Sequence, residues 1–253
     1  RYPRCGFITF GALKTQGRHR QAGSNHLSLE AELADGLRAF AAQQPQIQSS
    51  VPLDVFEVEG AFLNYLRLLQ QWNKAFNLTA IRDDRGQVIR HLLDSLVILP
   101  FVSGHQVIDV GTGAGLPGIP LAICLPNQDF VLVDSNSKKT RFLTQVKAVL
   151  GLTNLTVVHD RVEAISAGGF DQVLCRAFKP LPVLVPAIKH LLKEDGAILA
   201  MLGKSPEADV LHQLNQQATT ELWPLSVPGL QEDRFVIEIR PMNHHVNRSR
   251  SHS

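Results

Sequence analysis

The densest chemistry in this 253-residue chain lies in one stretch, Val107-Ile-Asp-Val-Gly-Thr-Gly-Ala-Gly115. An apolar, β-branched run enters three alternate glycines, Gly111, Gly113 and Gly115. Glycines there let a backbone turn sharply and approach a ligand with no Cβ in the way. A dinucleotide fingerprint, G-x-G-x-x-G, would need a glycine where Leu116 stands. The spacing is G-x-G-x-G instead, with Asp109 just before it and Thr112 inside it. A second carboxylate, Asp134, ends the run Phe130–Val133, 19 residues past Gly115. An acid at that point can accept hydrogen bonds from ribose hydroxyls. It can equally cap the helix that Ser137 opens. Two more polar loops follow apolar runs, His159-Asp-Arg161-Val162-Glu163 and Cys175-Arg176-Ala-Phe178.

These loops need a scaffold that brings them together, and the periodicity supplies one. Strand candidates are Val107–Val110, Phe130–Val133, Thr156–Val158, Gln172–Arg176, Ala197–Leu202 and Phe235–Ile239. Helix-like stretches near 117–125, 138–150, 181–192 and 208–217 lie between them. Apolar strands alternating with helices predict an α/β fold, a mostly parallel sheet with helices on both faces. Ligands of such sheets sit beyond the carboxyl ends of the strands, where the polar loops fall. Upstream of Gly104 the pattern is helical, at about 27–42, 55–72 and 88–99, with Phe62, Leu66, Leu69 and Trp72 on one stripe. Trp72 is expected in the core. The domain reading is an extension at 1–26, a helical layer at 27–103, a catalytic α/β domain at 104–241 and a tail at 242–253.

Composition narrows the partners. Residues 1–26 hold five Lys/Arg and no acid, and residues 240–253 hold three more, again with no acid. With those eight set aside from 25 basic residues, 17 face all 23 acids, so 27–239 sum to −6. Nucleic acid would therefore be met through a local basic patch. No stretch approaches the ~20 apolar residues of a membrane-spanning helix. The three cysteines, Cys5, Cys124 and Cys175, have no metal-binding spacing and fit a reducing cytoplasm. No metal is expected. The extension reads as functionally empty, and the tail, with His244, His245 and His252, as disordered and solvated.

The glycine turn with Asp109 resembles the first motif of the Rossmann-like S-adenosylmethionine (SAM) methyltransferases, in which the acid faces the cofactor's methionine end. No Asn/Asp-Pro-Pro-aromatic loop for exocyclic amines is present, and Cys175 lacks the preceding proline of a pyrimidine C5 nucleophile. An acceptor with its own lone pair, such as guanine N7, needs neither device. Positioning alone could supply most of its rate.

A wider set of motifs then occurs in order. Trp72-Asn-Lys-Ala-Phe-Asn77-Leu-Thr79, Arg90-His91-Leu-Leu-Asp94-Ser95, Asp109 through Gly118, Asp134-Ser135, Arg161-Val-Glu163 and Cys175-Arg176-Ala-Phe178 together resemble the bacterial small-subunit (16S) ribosomal RNA guanine-N7 methyltransferases, the glucose-inhibited division protein B family. The resemblance runs strongly from about Leu53 to Lys204 and in outline from Leu27 to Pro241. It implies a seven-stranded, mostly parallel methyltransferase sheet with an N-terminal helical layer. It also implies a SAM-dependent enzyme that methylates N7 of one guanine in small-subunit ribosomal RNA, free or in a 30S-type particle, working as a monomer in the cytoplasm.

By the family pattern Gly111 and Leu116 border the cofactor, Val162 and Glu163 lie at the adenine, and Arg176 reaches the site. Asp109, Thr112, Gly113, Gly115 and Asp134 complete the cofactor set. Arg176, His91 and Asp94 are the candidates for turnover. His91 and Asp94 share a helix face, either as an acid–base couple or as a polar clamp, and N7 chemistry favours the clamp. Arg161, Lys138 and Asn77 are the RNA candidates. Arg161 and Arg176 could instead hold loops by pairing with Glu163 or Asp134. The family's Lys-Gly after the fifth strand is Gly203-Lys204 here, so Lys204 is given no role. Two alternatives stand beside this reading, a non-catalytic SAM- or RNA-binding assembly factor and an NAD-dependent oxidoreductase.

Overall fold

Alternate residues along five central strands fill two separate cores, and that alternation organises the molecule. The computed structural model describes residues 27–45, 56–165 and 168–242. The basic extension with Cys5, most of the polar break after Pro45, and the tail from Asn243 lie outside the described residues.

The N-terminal part holds α1 (Leu29–Gln43), α2 (Glu59–Phe76), α3 (Asp84–Gln87), a π-helical stretch (Val88–Leu93), α4 (Asp94–Leu96) and a 3-10 turn (Leu99–Phe101). Then come β1 (Gln106–Val110), α5 (Gly118–Cys124), β2 (Asp129–Asp134), α6 (Ser137–Leu150), β3 (Leu155–His159) and β4 (Phe170–Arg176). The chain continues through α7 (Leu181–Ile188), β5 (Leu192–Leu202), α8 (Ala208–Asn215), β6 (Ala218–Leu225) and β7 (Arg234–Pro241).

The strand order is β3-β2-β1-β4-β5-β7-β6. Pairing is parallel from β3 to β5 and antiparallel where β7 inserts between β5 and β6. The chain leaves β1 toward one edge and returns at β4 on β1's other side. A crevice therefore opens above the β1–β4 boundary. Val107, Leu132, Leu174, Leu199 and Val236 face the core shared with the N-terminal helices, α5 and α6. Ile108, Val133, Val173, Ile198 and Ile237 face the core beneath α7 and α8. Successive side chains point to opposite faces of a strand, so a strand buried on both sides has to be apolar throughout.

The six expected strands form, β5 five residues longer at its start than the apolar run predicts. The seventh, β6, has alternating polarity and Pro224, features tolerated on an edge strand. The expected helix at 181–192 ends at Ile188 and tightens to a 3-10 turn. The expected helix at 88–99 is interrupted by the π-helical stretch.

The helical layer is fastened to the sheet at one point that matters for the site. α2 buries Phe62, Tyr65, Leu66 and Leu69 along one stripe. Tyr65 stands fully buried, and its hydroxyl donates to the carbonyl of Ala114, inside the glycine loop, at 2.8 Å. A buried tyrosine hydroxyl has to find such a partner.

Candidate functional site

The glycine loop is built by β1 running out under it. Gly111 and Gly113 have φ of 65° and 63°, a left-handed conformation that side chains resist. A Cβ on Gly111 would collide with the ring of Phe178. One on Gly113 would meet only Gly111 O at 3.9 Å and Lys139 Nζ at 4.0 Å, so that side of the loop is open to a ligand. Gly115 lies deeper, against Ile119 and Leu143.

Two carboxylates brace the loop. Asp134 takes the Gly113 N–H at 3.0 Å and the Asn136 N–H at 2.9 Å, with Lys139 Nζ at 3.4 Å. Asp109 is fully buried, and its Oδ2 accepts from Thr112 Oγ1 at 2.6 Å and Gly118 N–H at 3.0 Å. Its Oδ1 has no partner. Burial pushes the Asp109 carboxyl up to about 6, opposed by the bonds from Thr112 and Gly118 and by the charge of Arg176. A buried carboxylate with an orphan oxygen favours positive charge nearby. It fits the ammonium-bearing methionine end of SAM.

Beside the loop a cleft of about 420 Å³ is walled by Gly111, Asp134, Arg161, Val162, Glu163 and Phe178. Asp134 and the Val162-Glu163 pair, the residues expected at ribose and adenine, meet Gly111 of the loop there, so these residues fit SAM. Glu163 is held by Lys179 Nζ at 2.9 Å, and that bond lowers its pKa.

A second cleft of about 500 Å³ shares Ala177, Phe178 and Lys179 with the first and opens on the other side of them. Arg90, His91, Asp94, Arg176 and Arg234 line it. Asp94 is buried and accepts from two guanidinium groups, Arg234 Nε at 2.9 Å and Arg176 Nη1 at 3.3 Å. Arg176 Nη1 also donates to Arg90 O at 3.2 Å, a carbonyl within the π-helical stretch. Segments of that kind recur at functional sites because they release main-chain groups from the helical ladder. His91 turns elsewhere. Its Nε2 lies 2.8 Å from Thr79 Oγ1, and Asn73 in turn holds the Thr79 backbone at both N–H and carbonyl. Burial and the Arg176 charge push His91 down to about 4, so it is neutral at pH 7. Cys175 also lines this cleft, but burial raises its thiol pKa far above neutrality and it carries no thiolate.

The structure thus divides the residues singled out by sequence. Gly111, Asp134, Arg161, Val162 and Glu163 wall the first cleft, and His91, Asp94 and Arg176 the second. Asp109, Thr112 and Leu116 are buried beneath the loop, Leu116 within the apolar core. Lys138 and Asn77 lie outside both clefts on an adjoining surface. His91 and Asp94 do not pair: Asp94 is taken by Arg176 and Arg234, and His91 meets Thr79 through Nε2 while its Nδ1 has no partner. Nor do Arg161 and Arg176 pair with Glu163 or Asp134, whose partners are Lys179 and Lys139. Trp72 is half-buried, its Nε1 donating to Gln145 at 2.7 Å. Sequence reasoning passed over Arg234 and Tyr65. Arg234 shows only as a charge opening an apolar strand, and Tyr65 as a hydroxyl on an apolar stripe.

The sheet order, with one antiparallel strand inserted near its edge, and the glycine turn flanked by two strand-end carboxylates define a Rossmann-like SAM-dependent methyltransferase. Residues 59–237 match the family model described as rRNA small subunit methyltransferase G, GidB. Three relatives carry the name Ribosomal RNA small subunit methyltransferase G. That of Marinomonas sp. is 48% identical over 69% of this chain and 85% of its own. That of Saccharophagus degradans is 42% identical over 79% and 91%. That of Hydrogenovibrio crunogenus is 48% identical over 70% and 82%. Among solved structures, a SAM dependent methyltransferase from Aquifex aeolicus superposes with a TM-score of 0.47 at 15% identity, over 61% of this chain and 93% of that one. The chain belongs to the rRNA small subunit methyltransferase G family, and this membership does not favour the non-catalytic or oxidoreductase alternative.

Proposed function

We propose that the chain transfers the methyl group of SAM to N7 of one guanine in small-subunit (16S) ribosomal RNA. The observation that carries this reading is the pair of clefts meeting across residues 177–179, one suited to the cofactor and one rich in arginine. SAM, when bound, supplies a methyl group on a positively charged sulfur. Asp134 would hold the ribose hydroxyls, Val162 and Glu163 would border the adenine, and the buried Asp109 would supply negative charge toward the methionine end.

Guanine N7 brings its own lone pair, so no side chain has to remove a proton. That agrees with a His91 that is neutral and turned to Thr79, and with an Asp94 held between guanidinium groups. What the chain supplies is position, the reacting atoms held near and in line. Arg176 and Arg234 present paired donors of the kind that fit guanine O6 or a phosphate. Asp94 fixes both and offsets part of their charge, which matters because the methylated base is cationic. His91 and Asp94 are positioning residues in this account. Neither reacting partner needs activation by a metal in this account.

RNA of defined shape is gripped by phosphate contacts and a splayed-out base, with Arg161, Lys138 and Asn77 around the cleft mouths. The reading takes the chain as a monomer made of the helical layer 27–103 and the α/β domain 104–241. No described helix is long and apolar enough to cross a membrane. The reading places the enzyme in the cytoplasm with its RNA.

The test is methyl transfer from labelled SAM to small-subunit RNA and to 30S-type particles lacking the modification. Label in either form is expected. Saturable SAM binding with no label on any RNA would overturn the reading.

A further inference from the structure

Next to the cofactor cleft lies a surface that belongs to neither cleft. The last turn of α2 delivers Phe76 there, and α6 packs alongside through Trp72, whose ring sits 5.8 Å from that of Phe142. Two phenylalanines are exposed among the described residues, Phe56 and Phe76. Phe76 is 37% exposed and backed by Trp72, ring centre to ring centre 5.1 Å. The Nζ of Lys138 stands 5.9 Å from the Phe76 ring centre. The neighbouring Lys139 reaches Asp134 in the wall of the cofactor cleft. Phe76 therefore lies on the surface beside the Asp134 wall of the cofactor cleft.

Charge sets this surface apart. Residues 72–82 carry Lys74 and Arg82, residues 135–148 carry Lys138, Lys139, Arg141 and Lys147, and neither segment has an acid. Six of the 17 cations in residues 27–239 fall in these two packed segments, while that body as a whole sums to −6. An exposed aromatic ring supported from behind, with a lysine at its face and further cations along both packed segments, suits a single-stranded nucleic acid. The ring takes a base and the cations take its phosphates. An apolar protein partner would account for the ring but not for the cations of both segments.

We propose that Phe76, with Lys138 over its ring, is a stacking platform for an RNA nucleotide other than the one that is methylated. The proposal rests on the reading that the acceptor is RNA. It adds a contact outside both clefts, acting on RNA affinity and not on the cofactor.

The experiment measures binding of small-subunit RNA by full-length wild type, Phe76→Ala, Phe76→Leu, Phe76→Trp and Lys138→Ala, with SAM binding and thermal melting alongside. Val149→Ala, at the far end of α6, is the control for a lost exposed side chain. Phe76→Ala and Phe76→Leu are expected to weaken RNA binding about tenfold or more, the size of one lost base–aromatic stack. Phe76→Trp should bind RNA as wild type does, and SAM affinity and melting should hold throughout. Lys138→Ala should lower the slope of log affinity against log salt by about one phosphate contact. Unchanged RNA affinity in both Phe76→Ala and Phe76→Leu overturns the platform. Methyl transfer is read separately on the same samples. Ring-dependent RNA binding with no methyl transfer by wild type would keep the platform and overturn the proposed reaction. Normal transfer with ring-independent binding would do the reverse.

Discussion

Asp94 and Asp109 are both buried carboxylates, but their surroundings ask different things of them. Asp94 is satisfied on both oxygens by Arg176 and Arg234. Asp94→Asn removes the charge that fixes both guanidinium groups, and leaving partly buried charges unpaired is costly. Methyl transfer at saturating SAM should fall at least about tenfold by loss of positioning, with a smaller change in SAM affinity. Single-turnover kinetics beside SAM titration separates the two. Asp109 is unsatisfied on Oδ1, and its raised pKa means that its stability contribution is present at low pH and lost as pH rises toward about 6. His91 acts in the opposite sense. Its pKa is lowered, so its contribution is present above the usual imidazole range and lost as pH falls toward about 4. Each shift corresponds to about 3 kcal/mol, so the two slopes oppose each other in the wild type. Asp109→Asn uncovers the His91 slope. Urea unfolding at pH 4.5 and pH 7 should show the variant losing more stability on acidification than the wild type does. Parallel behaviour of the two proteins would mean that Asp109 titrates normally. Asp109, Asp134 and Arg176 were legible in the sequence because strand ends in an α/β pattern mark the ligand edge. Arg234 was not, since its partner Asp94 is 140 positions away.

At the scale of elements, the helical layer is coupled to the cofactor loop through α2. Tyr65→Phe deletes the bond to Ala114 O and leaves that carbonyl without its partner. A loss of about 1–2 kcal/mol in stability is expected, together with weaker SAM binding, because the glycine loop loses its tether. Chemical denaturation and SAM titration check the two parts, and unchanged SAM affinity would mean that the loop is held by Asp134 and Asp109 alone. The core strands were legible because β1, β2, β4 and β5 are apolar on both faces. β6 escaped the pattern, being an edge strand with polar alternation and a proline. The π-helical stretch Val88–Leu93 also escaped it, because hydrophobic spacing alone marks that segment as a helix without reporting which hydrogen-bond ladder it uses. That local widening brings Arg90 O to Arg176, a contact no spacing rule anticipates.

The whole molecule reads as an acidic body with cations gathered where RNA would arrive, at the arginine-lined cleft and on the α2–α6 surface. Its two clefts meet over the β1–β4 crevice, which strand order alone locates. The family motifs made the reaction class legible before any geometry was in hand. They did not reveal that Asp94 serves two arginines or that His91 faces Thr79, since both depend on contacts between distant segments. The central claim is that this architecture positions a nitrogen lone pair and removes no proton. It is tested most directly by digesting RNA labelled by the enzyme with SAM and identifying the methylated nucleoside by mass and chromatography. The account predicts 7-methylguanosine and no other labelled nucleoside. Label in an exocyclic-amine or ring-carbon product would contradict it, because either acceptor must give up a proton and the account assigns no residue as the base.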